Sequence, residues 1–466
     1  MSALTPARTA RLAVGAVAAL ASVAAVIALT TLALPGRTQD AIAVDAQSPA
    51  TASVAVCSGP VLASGRDATR AALVTDAAAP RLTAATSDGA EPDQRTLAAA
   101  NVTDGAGPTV LTAPPSGDER VDVAAASSAR VEAPDLAGLA AAACTRPAME
   151  SWLVTGAATT GAADLIVLSN PADVPALVAL TVFGAAGETQ PPAGQDIVVA
   201  AGSQRVIPLA AVALGEENPI VRVTASQAPV QASMQSTLTR VLDPGGLDQV
   251  AAVGAPTDDL VIPGVPVTLA PGDAGASDVP TSLRLLAPTA DGTATVTIAD
   301  GSGAVGQPRS VPLTAGVPLQ LDLDALPVGT YTVSISATTP VTGAVWATTG
   351  FGAGSDFGWF TAADALASAT LVAVAAGPSP QLTLAAVGDA AQVVTIETLA
   401  GSDAREVTLQ PGASTVVSVT ADTAYRITPD GDGVRAAVTY AGAGALAGYP
   451  VQAGDAAASA ITVYPR

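Results

Sequence analysis

The sequence predicts an all-β protein in which an N-terminal transmembrane helix is followed by tandem immunoglobulin-like β-sandwich domains. Three observations lead to this fold class. One uncharged apolar run lies near the N-terminus, a pattern of short alternating strands occurs three times, and segments with helical periodicity are almost absent after the apolar run.

The apolar run carries no charged residue from Leu12 to Leu34. This is close to the ~20 residues that a helix needs to cross a membrane, whereas the apolar part of a secretory signal usually spans ~7–15 residues. Because Arg8 and Arg11 precede the run, we expect a single-pass anchor with a cytoplasmic N-terminus and the bulk of the chain extracytoplasmic. The small residues at 41–43, AIA, keep open the alternative of a cleaved signal peptide and a secreted protein.

The two cysteines, Cys57 and Cys144, lie in the first extracytoplasmic segment. An even number of cysteines in an exported chain predicts a disulfide bond. The alternative is a pair of buried free thiols.

The composition excludes several classes of function. A net charge of −21 without a basic cluster argues against nucleic acid, because phosphate neutralisation needs grouped Lys and Arg. The chain has no His, which removes Ser-His-Asp and Cys-His catalysis and every His-containing metal site. Paired carboxylates, as in glycosidases, remain compatible with the composition. We predict no catalytic residue, cofactor or metal.

The repeated pattern begins at Leu165, Leu283 and Leu382, and we name these stretches copies one, two and three. Each copy starts with an apolar strand, continues through a polar turn and reaches a second strand with period two. We predict that the two strands pair as a hairpin. Glycines follow at equivalent places and suit hairpin turns; they are Gly187, Gly303 and Gly401, and later Gly202, Gly316 and Gly412.

Each copy then continues with two more strands and a last long hairpin that opens at Val230, Val341 or Val434. Seven or eight short strands over roughly 100 residues are typical of a β-sandwich. The segment APDLAGLAAAA near Pro134 is the one helical candidate after the anchor. We predict a cytoplasmic stub and anchor at 1–40, a β-rich region with the disulfide at 41–150, which is a degenerate fourth copy, and sandwiches at 151–256, 257–366 and 367–466.

The segments CTRPAMESWLVTG and DLIVLSNPADVPALVALTVFGAAGE follow one another closely in copy one. Together they resemble an uncharacterised actinobacterial family of membrane-anchored extracytoplasmic proteins, most clearly over Cys144–Val241. The resemblance implies export and a β fold, and no activity. Copy two has Ala287-Pro288 in place of Asn-Pro, and copy three has no proline there. The matching residues are Cys144, Pro147, Trp152, Gly156, Asn170 and Pro171.

Two polar segments are candidate ligand sites. Asn170 before Pro171 either bonds its own backbone to shape a turn, which we favour, or contacts a ligand. The segment TPDGDGVR at 428–435 places Asp430 and Asp432 beside glycines, as a calcium loop does, but it lacks the further acids of an EF-hand. Asp-Gly between two strands favours a hairpin turn.

Copy two contains a cluster of aromatic residues in GAGSDFGWFTAAD. Phe357, Trp359 and Phe360 either form an exposed platform that stacks on a sugar ring or fill the core of an aromatic-poor domain. The acidic pairs Glu216-Glu217 and Asp258-Asp259 are either solvated loop charges or the carboxylates of a hydrolase.

These observations favour a non-enzymatic, membrane-anchored structural or interaction protein of the cell envelope. Its expected contacts are the membrane, through the N-terminal helix, and another envelope protein. The first alternative is a carbohydrate-binding module for a cell-wall polysaccharide, and the remote alternative is an exported glycoside hydrolase.

Overall fold

The computed structural model is predominantly β, and it describes residues 6–31, 44–46, 50–66, 73–103, 105–270, 272–273, 279–323, 326–401, 403–454 and 461–463. The chain divides into two units. The first combines Met1–Ser48 with Ala458–Arg466, and the second is Pro49–Ala457.

The first unit contains an apolar helix and one short strand pair. Helix α1 spans Pro6–Thr31, and its segment Thr9–Leu29 has 21 residues and a mean hydropathy of 2.5. It is long and apolar enough to cross a membrane, and a signal sequence would meet the same criterion. Strand β1 (Val44–Ala46) pairs antiparallel with β36 (Ile461–Val463). The predicted end of the span at Leu34 and the AIA site lie outside the described residues.

The second unit begins with the N-terminal copy, as we name residues 53–143. It is built from β-strands, most of which are short. They are β2 (Ser53–Val56), β3 (Val61–Ser64), β4 (Val74–Ala78), β5 (Arg81–Thr86), β6 (Asp93–Thr96), β7 (Ala98–Ala99), β8 (Thr109–Ala113), β9 (Val123–Ala133) and β10 (Leu136–Ala143).

Copy one follows, with a 3-10 turn at Pro192–Gly194 and a short helix α2 at Ala210–Ala213. Its strands are β11 (Glu150–Leu153), β12 (Leu165–Asn170), β13 (Ala176–Gly184), β14 (Gly187–Thr189), β15 (Ile197–Val199), β16 (Ser203–Pro208), β17 (Ile220–Ser226), β18 (Gln231–Arg240) and β19 (Asp243–Ala251).

Copies two and three complete the second unit. The strands of copy two are β20 (Thr257–Val267), β21 (Thr281–Leu286), β22 (Gly292–Asp300), β23 (Gly303–Ala304), β24 (Arg309–Leu313), β25 (Leu319–Asp322), β26 (Gly329–Thr348) and β27 (Phe357–Thr361). Those of copy three are β28 (Thr370–Val374), β29 (Gln381–Ala386), β30 (Gln392–Thr398), β31 (Arg405–Leu409), β32 (Ser414–Ser418), β33 (Thr423–Pro429), β34 (Val434–Gly442) and β35 (Ala445–Pro450).

The same strand order recurs in the three copies. Copy three has one sheet in the order β28-β33-β30-β31 and another in the order β32-β29-β34-β35. Copy one repeats this order with β11-β17-β13-β14 and β16-β12-β18-β19. In copy two, the long strand β26 replaces the sixth and seventh strands of this order. Its first half pairs with β20 and β22, and its second half pairs with β21 and β27. In each copy, side chains from both sheets share one apolar core.

The pairing differs from that of an immunoglobulin constant domain. There the first strand lies beside the second, and the seventh lies in the sheet of the third and sixth. In copy three the first strand, β28, pairs with the sixth, β33, and the seventh, β34, pairs with the second, β29. The adjacency of second with fifth and third with sixth is kept.

The N-terminal copy has a shortened version of this order. Its sheets are β2-β8-β6 and β10-β9-β5, with β3 and β4 as a separate pair. The strands of the first sheet match the first, sixth and third strands of the other copies. Those of the second sheet match the eighth, seventh and second strands. A disulfide joins Cys57, just after β2, to Cys144, just after β10, with an S–S distance of 2.07 Å.

Three local predictions from sequence are wrong. The first two strands of a copy are not a hairpin, because β12 pairs with β16 and β18 whereas β13 pairs with β14, β15 and β17. The TPDGDGVR segment is not a hairpin turn either, because it joins β33 and β34, which lie in different sheets. The helical candidate near Pro134 is strand β10, because a run of small apolar residues buried on both faces satisfies either structure and its pairing with β9 decides the outcome.

The glycine turns and the last hairpins agree with the sequence. The six glycines at equivalent turns all have positive φ angles, between 62° and 115°. The last hairpin of each copy is present as β18–β19, β26–β27 and β34–β35.

Candidate functional site

The last strands of the four copies meet in the interior of the second unit. We name β10, β19, β27 and β35 the inner strands. Each contacts the next in a closed cycle, β10 with β19, β19 with β27, β27 with β35 and β35 with β10. The inner strands are edges of their own sheets, so each has backbone amides that no neighbouring strand in its sheet can pair.

One carboxylate satisfies such amides from three copies at once. Asp356 lies just before β27 and is fully buried. Its Oδ2 accepts hydrogen bonds from the amides of Leu139 on β10 and Leu446 on β35, both at 2.9 Å. Its Oδ1 accepts one from Leu247 on β19 at 3.1 Å. Asp356 therefore ties the inner strands of the N-terminal copy, copy one and copy three to its own copy.

Two of the three amides follow a glycine, which leaves room for the carboxylate. Gly138 precedes Leu139, and Gly246 precedes Leu247. A Cβ atom at Gly138 would lie 2.5 Å from Asp356 Oδ1, and one at Gly246 would lie 2.7 Å from it. The Asp356 side chain therefore occupies space that is open because residues 138 and 246 have no Cβ atom.

A second buried carboxylate lies beside the first. Asp248 on β19 is fully buried, and its Oδ2 accepts the amide of Trp359 on β27 at 2.7 Å. Burial raises the pKa of Asp248 well above its usual range, and the charge of Asp356 acts in the same direction. Burial also raises the pKa of Asp356 to about 7, although four backbone amides oppose the shift.

The contact between copies one and two contains a buried cation. Arg284 on β21 donates from Nη1 to the carbonyl oxygens of Gly156 at 2.7 Å and Pro219 at 3.1 Å. Its Nη2 donates to Oδ1 of Asn218 at 3.0 Å, and its Cζ lies 4.6 Å from the ring centre of Trp359. Burial lowers the pKa of Arg284 to about 9.

Asp164 provides the nearby counter-charge in copy one. It is buried in the protein interior, which raises its pKa to about 7, while backbone amides and the charge of Arg284 oppose the shift. Its carboxylate accepts the amides of Ala157 at 2.7 Å and Thr237 at 2.8 Å. Since these buried charges are bonded to backbone groups, the arrangement holds strands and copies together.

The predicted aromatic platform is absent because its three rings are buried. Phe357, Trp359 and Phe360 are 3 %, 7 % and 2 % exposed. Phe357 and Trp359 pack with Trp152 and Phe183 of copy one, and Phe360 lies in the core of copy two. Of the two alternatives for this cluster, the burial agrees with core packing and does not agree with an exposed stacking platform. Phe357 and Trp359 lie where copies one and two pack together.

The other predicted sites have no ligand geometry. Glu217, Asp258 and Asp259 are exposed, and Glu216 accepts the amide of Ala185 at 2.8 Å. Asp430 accepts the amide of Val393 at 2.8 Å. Among the residues that the structure describes, no group of three or more acidic or cysteine side chains could hold a metal ion.

Asn170 shapes the crossing between the two sheets of copy one, as the preferred interpretation predicts. The buried side chain donates from Nδ2 to the carbonyl oxygens of Val174 at 2.8 Å and Val199 at 3.0 Å. Its Oδ1 accepts the amide of Ala172 at 3.0 Å.

We expect Asn170→Ala to lower the free energy of unfolding by about 2–3 kcal/mol, because it leaves two buried carbonyls and one amide without partners. Chemical unfolding of the full chain in detergent, followed by tryptophan fluorescence, measures the change. Asn170→Asp keeps the acceptor but removes both donors, and we expect a loss of similar size. A loss below about 0.5 kcal/mol in both variants would contradict the bonding described.

A small cavity lies at the other ends of the inner strands. It has a volume of about 100 Å³, and its walls combine small apolar side chains with Thr145, Gln249, Thr361 and Asp364. Gln249 is engaged, since its Nε2 donates to the carbonyl of Pro60 at 3.0 Å. The cavity is large enough for a few waters or one side chain, and it contains no pair of facing carboxylates.

Comparison with known proteins places the chain in a family. The model of a family of unknown function, DUF5719, matches residues 99–420, and the chain belongs to this family. The matched region covers part of the N-terminal copy, copies one and two, and about half of copy three. No curated protein matches the chain.

Proposed function

We propose that this protein is a membrane-anchored, non-enzymatic interaction protein of the cell envelope, built as tandem β-sandwiches. In this proposal α1 anchors the chain with a cytoplasmic N-terminus and the β unit lies outside. The apolar helix and the disulfide support this location. The burial of the copy-two aromatic rings removes the observation on which polysaccharide binding rested. The two acidic pairs considered for hydrolysis lie in loops or at a strand start, and Glu217, Asp258 and Asp259 are exposed.

The observation that carries the interaction function is the tip of the β18–β19 hairpin. Arg240 pairs with Asp243, so Val241 and Leu242 alone form the turn. Val241 is 96 % exposed and Leu242 is 85 % exposed. Val241 also has a φ of 60°, a conformation that is strained for a β-branched residue.

Equivalent hairpins in the same chain do not have this feature. The β9–β10 turn is Pro134-Asp135, and the β34–β35 turn is Ala443-Gly444. Two-residue hairpins favour Asn-Gly or Asp-Gly, because these residues adopt positive φ without strain. A sequence selected for folding alone would not place Val-Leu at this tip. Retained strain at an exposed apolar position is typical of a functional contact.

The tip fits an apolar pocket on another protein. A lipid surface is disfavoured, because anionic headgroups repel a chain with a net charge of −21. Contacts of Arg240 with the 350–351 segment also hold the tip in place. The guanidinium carbon of Arg240 lies 4.9 Å from the ring centre of Phe351, and its Nη1 lies 3.4 Å from the carbonyl oxygen of Gly350.

The test is photo-crosslinking in the native envelope. A photoreactive residue replaces Leu242 in one strain and Ala443, in the equivalent hairpin, in another. We expect one discrete protein adduct at 242 and none at 443. Excess purified wild-type chain should compete the adduct away, whereas the Val241→Asn, Leu242→Gly variant should not.

The double variant also serves as its own folding control. Relief of the strained turn should raise its free energy of unfolding by about 1 kcal/mol. Loss of competition in a chain that is more stable than wild type cannot result from misfolding. Identical adducts at 242 and 443, or full competition by the double variant, would reject the tip as the contact surface.

A further inference from the structure

The closed cycle of inner strands depends on a carboxylate in a setting where ionisation is costly. Three of the backbone amides that bond the Asp356 carboxylate belong to inner strands from other copies. Each of these amides lies on a strand edge that has no neighbour in its own sheet at that position. When the contact opens, water enters, and the carboxylate and the amides are solvated together.

Few other charges reach this contact. The segments 136–143, 357–361 and 445–450 contain no charged residue, and the loop 349–355 contains none. The β19 segment contributes Asp248, which is buried, and Asp243, which is exposed at its start. The neighbouring cations are Arg240, near the carbonyl oxygen of Gly350, and Arg284, over the ring of Trp359.

We propose that Asp356, together with Asp248, is a proton-dependent latch that closes the cycle of inner strands more tightly in acid and loosens it as the pH rises. In the closed state the two carboxylates are buried near each other, so a proton on one of them removes repulsion and desolvation cost. In the open state both carboxylates are solvated and release protons readily. Proton binding therefore favours the closed state.

The direction and size of this pH dependence follow from the linkage between proton binding and closure of the cycle. Burial raises the pKa of Asp356 to about 7 in the closed state, against about 3.9 when it is solvated. The closed state binds more protons between these two values, so its stability falls as the pH rises through this window. From pH 5.5 to pH 7.5 the titration of Asp356 alone should raise the equilibrium constant for opening about twenty-fold, and Asp248 adds to this rise.

Amide hydrogen exchange of the full chain in detergent measures this opening. After correction for the intrinsic pH dependence of exchange, the amides of Leu139, Leu247 and Leu446 should rise together by at least about twenty-fold. The amide of Val438, inside the β34 ladder, serves as the reference and should change far less. In Asp356→Asn the rise at the three amides should fall to the contribution of Asp248.

A second measurement keeps the test independent of how well that variant folds. Infrared spectra of the wild-type chain should contain a protonated-carboxyl band at pH 5.5 that is lost toward pH 8, and Asp356→Asn should remove part of it. Opening that stays constant or decreases as the pH rises, with no such band at pH 5.5, would show that the amides hold Asp356 ionised. The latch would then be rejected.

Discussion

Replacement of Arg284 by Met should lower the free energy of unfolding by about 4 kcal/mol. The methionine keeps much of the apolar stem, but the carbonyls of Gly156 and Pro219 lose a charged donor while they remain buried. The cation above the Trp359 ring is lost as well. Asp164 also loses the positive charge that lowers its pKa, so its burial becomes more costly at neutral pH.

Tryptophan fluorescence is a suitable readout for this variant, because Trp152 and Trp359 both lie in the cluster where copies one and two pack together. Arg309→Met is the matched control. Arg309 is in the same copy and also donates to one carbonyl, that of Asp322, but it is exposed. We expect Arg309→Met to lower the free energy of unfolding by less than about 0.5 kcal/mol. Equal losses in the two variants would mean that burial of Arg284 adds nothing to stability.

The strands could be predicted from sequence, whereas their partners could not. Period-two alternation locates a strand and its faces, but antiparallel pairing is decided by which strands the connections bring side by side. The crossing at Asn170 illustrates this. Asn-Pro is compatible with a hairpin turn and with a passage between sheets, and the distant carbonyl of Val199 selects the passage.

One signal for packing between copies was present in the sequence. Strand β12 begins Leu-Ile-Val-Leu, a continuous apolar run rather than an alternating one. Ile166 and Leu168 face the core of copy one, whereas Leu165 and Val167 pack with Leu62 of the N-terminal copy. Continuous runs of this kind are typical of strands that are buried on both faces. They indicate that a copy packs against its neighbours.

The contact at Asp356 had no comparable signal. The residue lies in a polar, glycine-rich segment whose aromatic rings are its most prominent feature in the sequence. Its partners are backbone amides in three other copies, and any residue except proline supplies an amide. Only Gly138 and Gly246 mark the site in sequence, and a glycine in a strand pattern also fits a bulge or a turn.

Replacement of Gly246 by Ala should lower the free energy of unfolding by about 4 kcal/mol. Gly246 has a φ of 116°, which is unfavourable for any residue with a Cβ atom. The added methyl group would lie 2.7 Å from Asp356 Oδ1 and 2.8 Å from the backbone nitrogen of Phe357. Since backbone cannot rotate away as a side-chain end can, the inner strands β19 and β27 must separate.

Gly303→Ala isolates the cost of the backbone angle alone. Gly303 has a φ of 115°, nearly the same as that of Gly246, and no atom lies within 4 Å of the position of its added Cβ. We expect a loss of about 1–2 kcal/mol there, so that the difference between the two variants, about 2–3 kcal/mol, measures the close packing around Asp356. Gly246→Ala should also speed exchange at the Leu139 and Leu446 amides, which Gly303→Ala should leave unchanged. Equal losses, without faster exchange, would mean that the inner strands tolerate the methyl group and that Asp356 does not hold them at a fixed spacing.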